Sequence, residues 1–418
     1  MAAVWVGNFD FEHELASAAY APTDALRRLN CELAWHLSAL TEAGDGIEMP
    51  HAPCPEFVAH WNALTGGDVT IVASSAECGR FERIEPWGRS RRIHRSSIAS
   101  PTSEAVRLAN SRRWSVTQEL ELGVVLPGSA IVTSIASLTA AVESLAQQQD
   151  RDIAQLHWVV KAEFGMSARE RVLGRGIVLS VPTRRWIEKR LATGEWLVFE
   201  PWLERVSEVG ILLMIPPPGS IQTRPELVAV TELITDASGR YCGTRCSSND
   251  PPSCWQPAVE TARHMTERLR AIGYFGPVGI DAMSYPTAGS DVPSIRPVQD
   301  INARWTMGFV ATRLAQRLAP GRCSSWINVS TQRLCEQLGG AATLDFERKL
   351  LATFGLDLTK PLCGVSTDVR VLRTSPLMIG ELPTRQTGLL ISASNRDEQL
   401  AVEQRLLQVD GQPGRVAQ

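Results

Sequence analysis

Residues 294–305 read SIRPVQDINARW. Polar and β-favouring residues alternate here, the signature of a strand, and a strand sends successive side chains to opposite faces. Asp300 and Asn302 are two apart and so share a face, and Arg304 follows at the same interval on the same side. Upstream, VGIDAMSY at 278–285 reads as a neighbouring strand with Asp281 inside an apolar run. A turn or cap role suits such acids poorly, because a carboxylate buried without a partner is costly. Hard oxygen ligands on adjacent strands, with an arginine nearby, describe a magnesium site shared with phosphates. Asp281, Asp300 and Asn302 are the candidate metal ligands. Arg304 is the candidate for stabilising charge on a phosphoryl or acyl-phosphate oxygen, with a surface salt bridge as its competing role.

Further upstream, LHWVVKAE at 156–163 reads as a strand ending in Lys161. The chain has 42 Lys+Arg but only four lysines, Lys161, Lys189, Lys349 and Lys360, so this one stands out. The following loop contains Gly165, Ser167, Gly174 and Gly176. A lysine before such a loop can aim its ammonium at a phosphate that backbone N–H groups also cradle, although a lysine snorkelling from a strand end gives the same pattern.

Around these segments the element signals alternate. AVWVG, a helical pattern over 24–40, another over 56–64 and the strand DVTIVA predict a small parallel α/β unit. GRSRRIHRSSIASPTSE is basic and turn-rich, and reads as a linker ending near Pro101. One helix is expected over 103–122, an extended segment VVLPGSAIVT, and an amphipathic helix over 134–149. The strands LHWVVKAE, GIVLSV and GEWLVFEPW follow, then EVGILLMI, ELVAVTELI and RYCGTRC as an antiparallel meander. Helices are expected at 256–272 and 308–318. From Cys323 onward come helix signals, then the strands DVRVLRTSPLMIGEL and TGLLISAS, then the helix RDEQLAVEQRLLQV and a frayed tail GQPGRVAQ.

The ordered set resembles the ATP-grasp superfamily. Its members carry a lysine on the strand before a glycine-rich flap, an acidic hinge that holds adenine, a distal acidic residue and a closing Glu-x-Asn-x-Arg strand. Here Lys161 in VVKAEFGMSARERVLGRG is similar to the flap lysine, and LVFEPWLERVSE to the hinge. The resemblance implies Glu200 at the hinge's acidic position and the backbone of Phe199–Trp202 at the adenine edge. It implies Glu208, with Glu204 as the other choice, for the ribose. Upstream, NSRRWSVTQELELGVVLPGS is similar to the opening of the nucleotide region, which makes Arg113, before Trp114, the candidate phosphate contact and Arg112 the competitor. Two features depart from the pattern: Asp300 stands where Glu is usual, and Arg169, Arg171 and Arg175 replace flap glycines.

The implied architecture is α/β and α+β: a pre-ATP-grasp-like parallel α/β domain at 1–102, an ATP-grasp nucleotide-binding domain at 103–322, and a small C-terminal α+β module at 323–418. At 418 residues two or three domains are expected. The implied activity is ADP-forming ligation of a small-molecule carboxylate to an amine through an acyl phosphate, with ATP and Mg2+ (Mn2+ as substitute). Phosphoryl or carboxyl transfer, or nucleotide binding without turnover, are the alternatives. Lys161 and Arg304 are the catalytic candidates. No Ser-His-Asp or Cys-His set stands out, and His13 is a candidate for lining the acceptor side.

Net charge is −3, which argues against nucleic acid or an anionic membrane as the main partner, and no apolar run is long enough for a spanning helix. The N-terminus lacks a signal peptide's basic region. The nine cysteines, Cys31 to Cys363, suggest reduced thiols in a cytoplasmic protein. Cys242, Cys246 and Cys254 are spaced C-x3-C-x7-C without a fourth ligand, so packing roles are favoured over zinc. A homodimer is an open expectation.

Overall fold

The computed structural model describes residues 2–74, 77–91, 93, 100–149, 152–165, 170–246, 253–287, 289–354 and 368–409. Ser167, Arg169, Lys360, Cys363 and the tail GQPGRVAQ lie outside the described residues.

The chain opens with β1 (Ala3–Val6), α1 (Phe11–Ala16), α2 (Asp24–Ala34), β2 (Gly46–Glu48), α3 (Pro55–Thr65), β3 (Thr70–Val72) and β4 (Arg83–Pro86). The four strands form a parallel sheet in the order β3-β2-β1-β4, as the helix–strand alternation predicted. Its core is aromatic, with Trp35, Phe57 and Trp61 packed edge to face.

The single helix expected over 103–122 is two, α4 (Ser103–Ala109) and α5 (Arg112–Leu122). Asn110 breaks it: its amide donates to Val106 O at 2.9 Å and its Oδ1 accepts from Ala303 N at 3.0 Å, tying the break to the end of the DINA strand. Ser111 then caps α5 by accepting from Trp114 N at 3.2 Å. The break puts Arg112 at the first position of α5, where it turns inward.

A small antiparallel sheet follows, built from β5 (Ala130–Val132), α6 (Ile135–Gln149), β6 (His157–Ala162), β7 (Arg171–Arg175), α7 (Val181–Ala192) and β8 (Leu197–Pro201), with strand order β5-β8-β6-β7. The expected strand GIVLSV is absent. The strand is RVLGR, just before it, because Gly176 turns at φ +62° and Ser180 with Pro182 starts α7, a helix the sequence reading missed. Gly174 lies directly across from Trp158, and a Cβ there would overlap the indole. Gly174→Ala should therefore cost about 1–3 kcal/mol by displacing the Trp158–Phe199 core, read as a lower urea midpoint with an unchanged slope.

The rest is one eight-stranded sheet. It is formed by β9 (Ser207–Ile215), β10 (Glu226–Thr235), β11 (Tyr241–Cys246), β12 (Gly276–Tyr285), β13 (Ser294–Asn302), β14 (Cys323–Ser330), β15 (Arg370–Arg373) and β18 (Gln386–Ala393), ordered β13-β12-β9-β10-β11-β14-β18-β15. The short hairpin β16 (Met378–Ile379) and β17 (Leu382–Pro383) stands apart. The helices are α8 (Gln256–Ala271), α9 (Met307–Leu318), α10 (Thr331–Gln337), α11 (Leu344–Phe354) and α12 (Arg396–Val409). The meander β9-β10-β11 is antiparallel as expected. Ala258, Ala262, Met265 and Leu269, at helical spacing on α8, bury one face of the sheet with Val278, Ile280 and Ile301. Asp281, Asp300 and Asn302 alternate with these apolar residues and so face the other way.

The segment CSSWINVS, read as helical, is the buried strand β14. Its serines hid it: Ser325 Oγ donates to the buried Glu403. Strands β14, β18 and β15, contributed by residues beyond 322, continue the same sheet as β11.

Candidate active site

Two sheets supply the site. In the small one, β6 pairs antiparallel with β8, and Val159 lies opposite Glu200. Lys161, two residues on, therefore shares a face with Glu200 and reaches it diagonally. The Lys161 Nζ lies 2.8 Å from Glu200 Oε2 and 3.5 Å from the carbonyl of Gln299 on β13. Arg296, also on β13, grips Glu200 bidentately at 2.6 and 3.0 Å. Glu200 is thus a buried bridge between the sheets. Burial pushes its pKa up, but Arg296 and Lys161 outweigh it and hold the carboxyl well below the usual range.

In the large sheet Asp281 and Asp300 are direct cross-strand partners. Asp300 is held by Arg112, whose Nη2 donates to Oδ2 at 2.7 Å, while Arg112 Nη1 donates to the carbonyl of Ala162 next to Lys161 at 3.0 Å. Asn302 Nδ2 donates to Asp281 Oδ2 at 3.1 Å, and Asn302 Oδ1 accepts from Arg304 at 2.9 Å. Arg304 Nε donates to Glu12 of α1 at 2.8 Å, and its guanidinium lies 5.5 Å from the Trp87 ring. Asp281 is pushed up to about 7 by burial, then by the charges of Asp300 and Glu208. Burial also disfavours charge on Asp300, but Arg112 and Lys161 keep its pKa below the ordinary value.

The structure brings together Lys161, Glu200, Asp281, Asp300, Asn302 and Arg304, and it excludes Arg113. Being one residue past Arg112 on α5, Arg113 points outward and stacks on Trp196 at 3.6 Å. The competitor Arg112 occupies the site. Phe199 does not offer a free edge: it sits in the ladder between Ala130 and Val160, and its ring packs against Trp158. Trp202 N–H donates to His157 O at 2.9 Å, and its ring lies between Arg171 and Arg205 at 5.3 and 5.0 Å. Glu204 is exposed, whereas Glu208 is buried and accepts from Thr235 at 2.5 Å and Gln299 at 3.2 Å. The His13 ring lies 5.3 Å from Tyr20. Cys242 is buried, Cys254 is exposed, and burial pushes the Cys246 thiol up to about 12.

The sequence reading missed Arg296, Glu12 and Glu119. An arginine inside a strand run was the available signal for Arg296, and a Ser115/Glu119 pair one helical turn apart for Glu119. Ser115 Oγ donates to Glu119 Oε1 at 2.8 Å, while its buried Oε2 has no partner. Burial raises Glu119 to about 7; Arg296 opposes that and Glu200 adds to it. With the folded pKa above the unfolded ~4.3, the native state holds this proton more tightly. Its contribution to stability is present below ~4.3 and is lost as pH rises through about 7. Glu119→Gln, which mimics the protonated form, should melt at a temperature less dependent on pH between 5 and 8 than the native chain; parallel curves would refute this.

The Asp281/Asp300 arrangement fits a hard divalent cation, since two half-buried carboxylates face each other across the strands. Asp281, raised first by burial and then by Asp300 and Glu208, is bonded by the neutral amide of Asn302, while Asp300 pairs with Arg112. Among the described residues no three His, Cys, Asp or Glu side chains are grouped to hold a metal. Two carboxylates and an amide oxygen suit a magnesium ion that takes its remaining ligands from phosphate and water.

The whole chain has the fold of known ATP-grasp enzymes. It superposes on N5-carboxyaminoimidazole ribonucleotide synthetase in its ADP complex with a TM-score of 0.55 and 13% identity, covering 98% of this chain and 97% of that one. For the Aspergillus clavatus N5-carboxyaminoimidazole synthase with ADP and 5-aminoimidazole ribonucleotide, the values are 0.52, 10%, 98% and 98%. For the biotin carboxylase domain of Hydrogenobacter thermophilus 2-oxoglutarate carboxylase, bound to MgADP and bicarbonate, they are 0.53, 10%, 97% and 89%. No protein-family model and no curated protein matches the chain by sequence. At these identities the likeness shows the fold, which is the one the motif order implied.

Proposed function

We propose that this protein is an ATP-dependent, ADP-forming carboxylate–amine ligase that works through an acyl phosphate. The observation that carries the reading is Arg112, which bonds both Asp300 of the large sheet and the backbone beside Lys161 of the small one. It joins the two sheets through a chain of cations and carboxylates that runs from Lys161 and Glu200 to Asp300.

In this reading the triphosphate lies against Lys161 and Arg112. Asp281 and Asp300 would hold Mg2+ (or Mn2+), with Asn302 Oδ1, which accepts from Arg304, as the third protein oxygen. The ion supplies charge neutralisation on the phosphates. A substrate carboxylate oxygen bonds to the γ-phosphorus as the bond to ADP breaks. Lys161 and Arg304 stabilise the charge on the transferring group, and Arg304 is aimed by Glu12 and Asn302. An amine then attacks the acyl carbon, the C–O bond to phosphate breaks, and the nitrogen gives up its proton to the departing phosphate. Glu208, beside Lys161 through Gln299, holds the ribose side, and the segment from Glu200 to Trp202 borders the base.

The second reading is carboxyl transfer, with bicarbonate as the carboxylate; it draws on the carboxylating enzymes that share the fold. The domain boundaries near residues 102 and 322, a homodimer and a cytoplasmic location belong to the same proposal. No helix among the described residues is long and apolar enough to cross a membrane.

Incubating the protein with Mg·ATP and pools of carboxylates and amines, with and without bicarbonate, should release ADP and phosphate in equal amounts. Product AMP, or no melting shift with Mg·ADP, would overturn the reading.

A further inference from the structure

Helix α5 lies between the two sheets, packed against β13 of the large one and β8 of the small one. Arg112, Ser115 and Glu119 follow one another on it at three- and four-residue spacing and so share one face. Arg112 heads that face at the proposed phosphate site, and Glu119 ends it, 2% exposed. A carboxyl buried without a cation of its own is costly. Glu119 Oε1 accepts from the Ser115 hydroxyl at 2.8 Å, and its Oε2 has no hydrogen-bond partner.

The cations nearby are committed elsewhere. Arg296 on β13 donates to Glu200 at 2.6 and 3.0 Å and to Val298 O at 2.9 Å, and Lys161 on β6 lies 2.8 Å from the same Glu200. Burial acts most strongly on Glu119, followed by Arg296, Glu200, Ser115 and Lys161. Asp300, the other acid on β13, is paired with Arg112. On the outer side of α5, Arg268 of α8 pairs with Glu121. From α4 the charged residues are Glu104 and Arg107, the latter bonded to Leu15 O of α1. One proton therefore decides the balance of the cluster of Glu119, Glu200, Arg296 and Lys161. It has two cations and one anion when Glu119 is neutral, and two of each when it is ionised.

We propose that the phosphate chain of the nucleotide binds together with a proton taken up by Glu119, a positioning residue that acts through Arg296 and Lys161. The inference rests on the nucleotide reading of the site. Phosphate adds negative charge beside Lys161 and Arg112, and it competes with Glu200 for Lys161; both effects favour the neutral form of Glu119. Linkage makes the effect reciprocal, since a neutral Glu119 leaves one cation in surplus for phosphate. Burial raises Glu119 to about 7 in the free protein, so the exchange falls near neutral pH. Affinity attributable to this proton is full below that value and is lost as pH rises through it.

The test is calorimetric titration of the full chain with Mg·ADP near pH 7.5, in buffers of differing ionisation enthalpy, which counts the protons exchanged on binding. The native chain should take up about half a proton more than Glu119→Gln, for a shift of about one pKa unit on binding. Relative to that variant, native affinity should fall about 3–10-fold between pH 6 and 9. A proton released by Asp281 as the metal enters is common to both chains and cancels in the difference. Ser115→Ala removes a bond that favours the carboxylate, so it should move the uptake to higher pH; it serves if Glu119→Gln does not fold. Glu121→Gln, on the outer face, should match the native chain. Equal proton counts in the native and Glu119→Gln chains, or an uptake that Ser115→Ala leaves unmoved, overturn the proposal. Absence of Mg·ADP binding by the native chain would remove the nucleotide reading and this inference with it.

Discussion

Lys161→Met is expected to lower turnover about 10²–10³-fold, the usual effect of removing one preorganised group that stabilises developing charge. The fold should tolerate it. Glu200 would keep its two bonds to Arg296 at 2.6 and 3.0 Å, so no buried charge is orphaned, and the methionine replaces most of the buried stem. The melting temperature should move by a few degrees at most. ADP release measured beside thermal melts decides the matter: parallel losses of activity and stability would make Lys161 a structural residue. Asp300 is not so clean a probe, because its removal leaves Arg112 without its partner. Asp300→Asn, which preserves an acceptor, is the better companion variant.

Arg296→Leu should destabilise the protein by about 3–5 kcal/mol, the range for breaking a buried ion pair from one side. Glu200 is 4% exposed and would be left with Lys161 alone. Because its folded pKa is depressed, its contribution to stability is present above the unfolded ~4.3 and is lost only in strong acid, so the deficit persists at neutral pH. The lysine would also be drawn onto the unbalanced carboxylate and away from phosphate. Pairing Arg296→Leu with Glu200→Gln should recover part of the stability lost in the single variant, since the unbalanced carboxylate is then gone and the amide oxygen still accepts from the buried Lys161. Urea unfolding of the single and double variants measures this. A double variant as unstable as the sum of the singles would show that the two residues act separately.

The two predictions separate the roles of two cations that share one carboxylate, Glu200. In the proposed reading Lys161 serves the chemistry, while Arg296 ties the large sheet to Glu200 of the small one. Three cations of the site each have a carboxylate: Lys161 has Glu200, Arg112 has Asp300 and Arg304 has Glu12. A triphosphate would compete for pre-positioned cations, which costs less reorganisation than gathering them from solvent.

Strand periodicity put Asp300 and Asn302 on one face, because a period of two needs no knowledge of the partner strand, whereas Arg304, expected on the same strand, lies past its end in a turn whose N–H bonds Asn302 O. The parallel opening sheet, the meander and the order of motifs were legible for the same reason: they depend on local pattern and turn chemistry. What adjacent residues on a helix do was not. Arg112 and Arg113 are both arginines at the start of α5, and which one faces inward depends on Asn110 breaking the helix and binding Ala303, 193 positions away. The strand CSSWINVS was illegible because its serines meet their partners only in the folded sheet. Glu200 could be recognised as an acid at a strand end, but its capture by Arg296 joins residues 96 apart, a pairing that exists only once the two sheets have closed on each other.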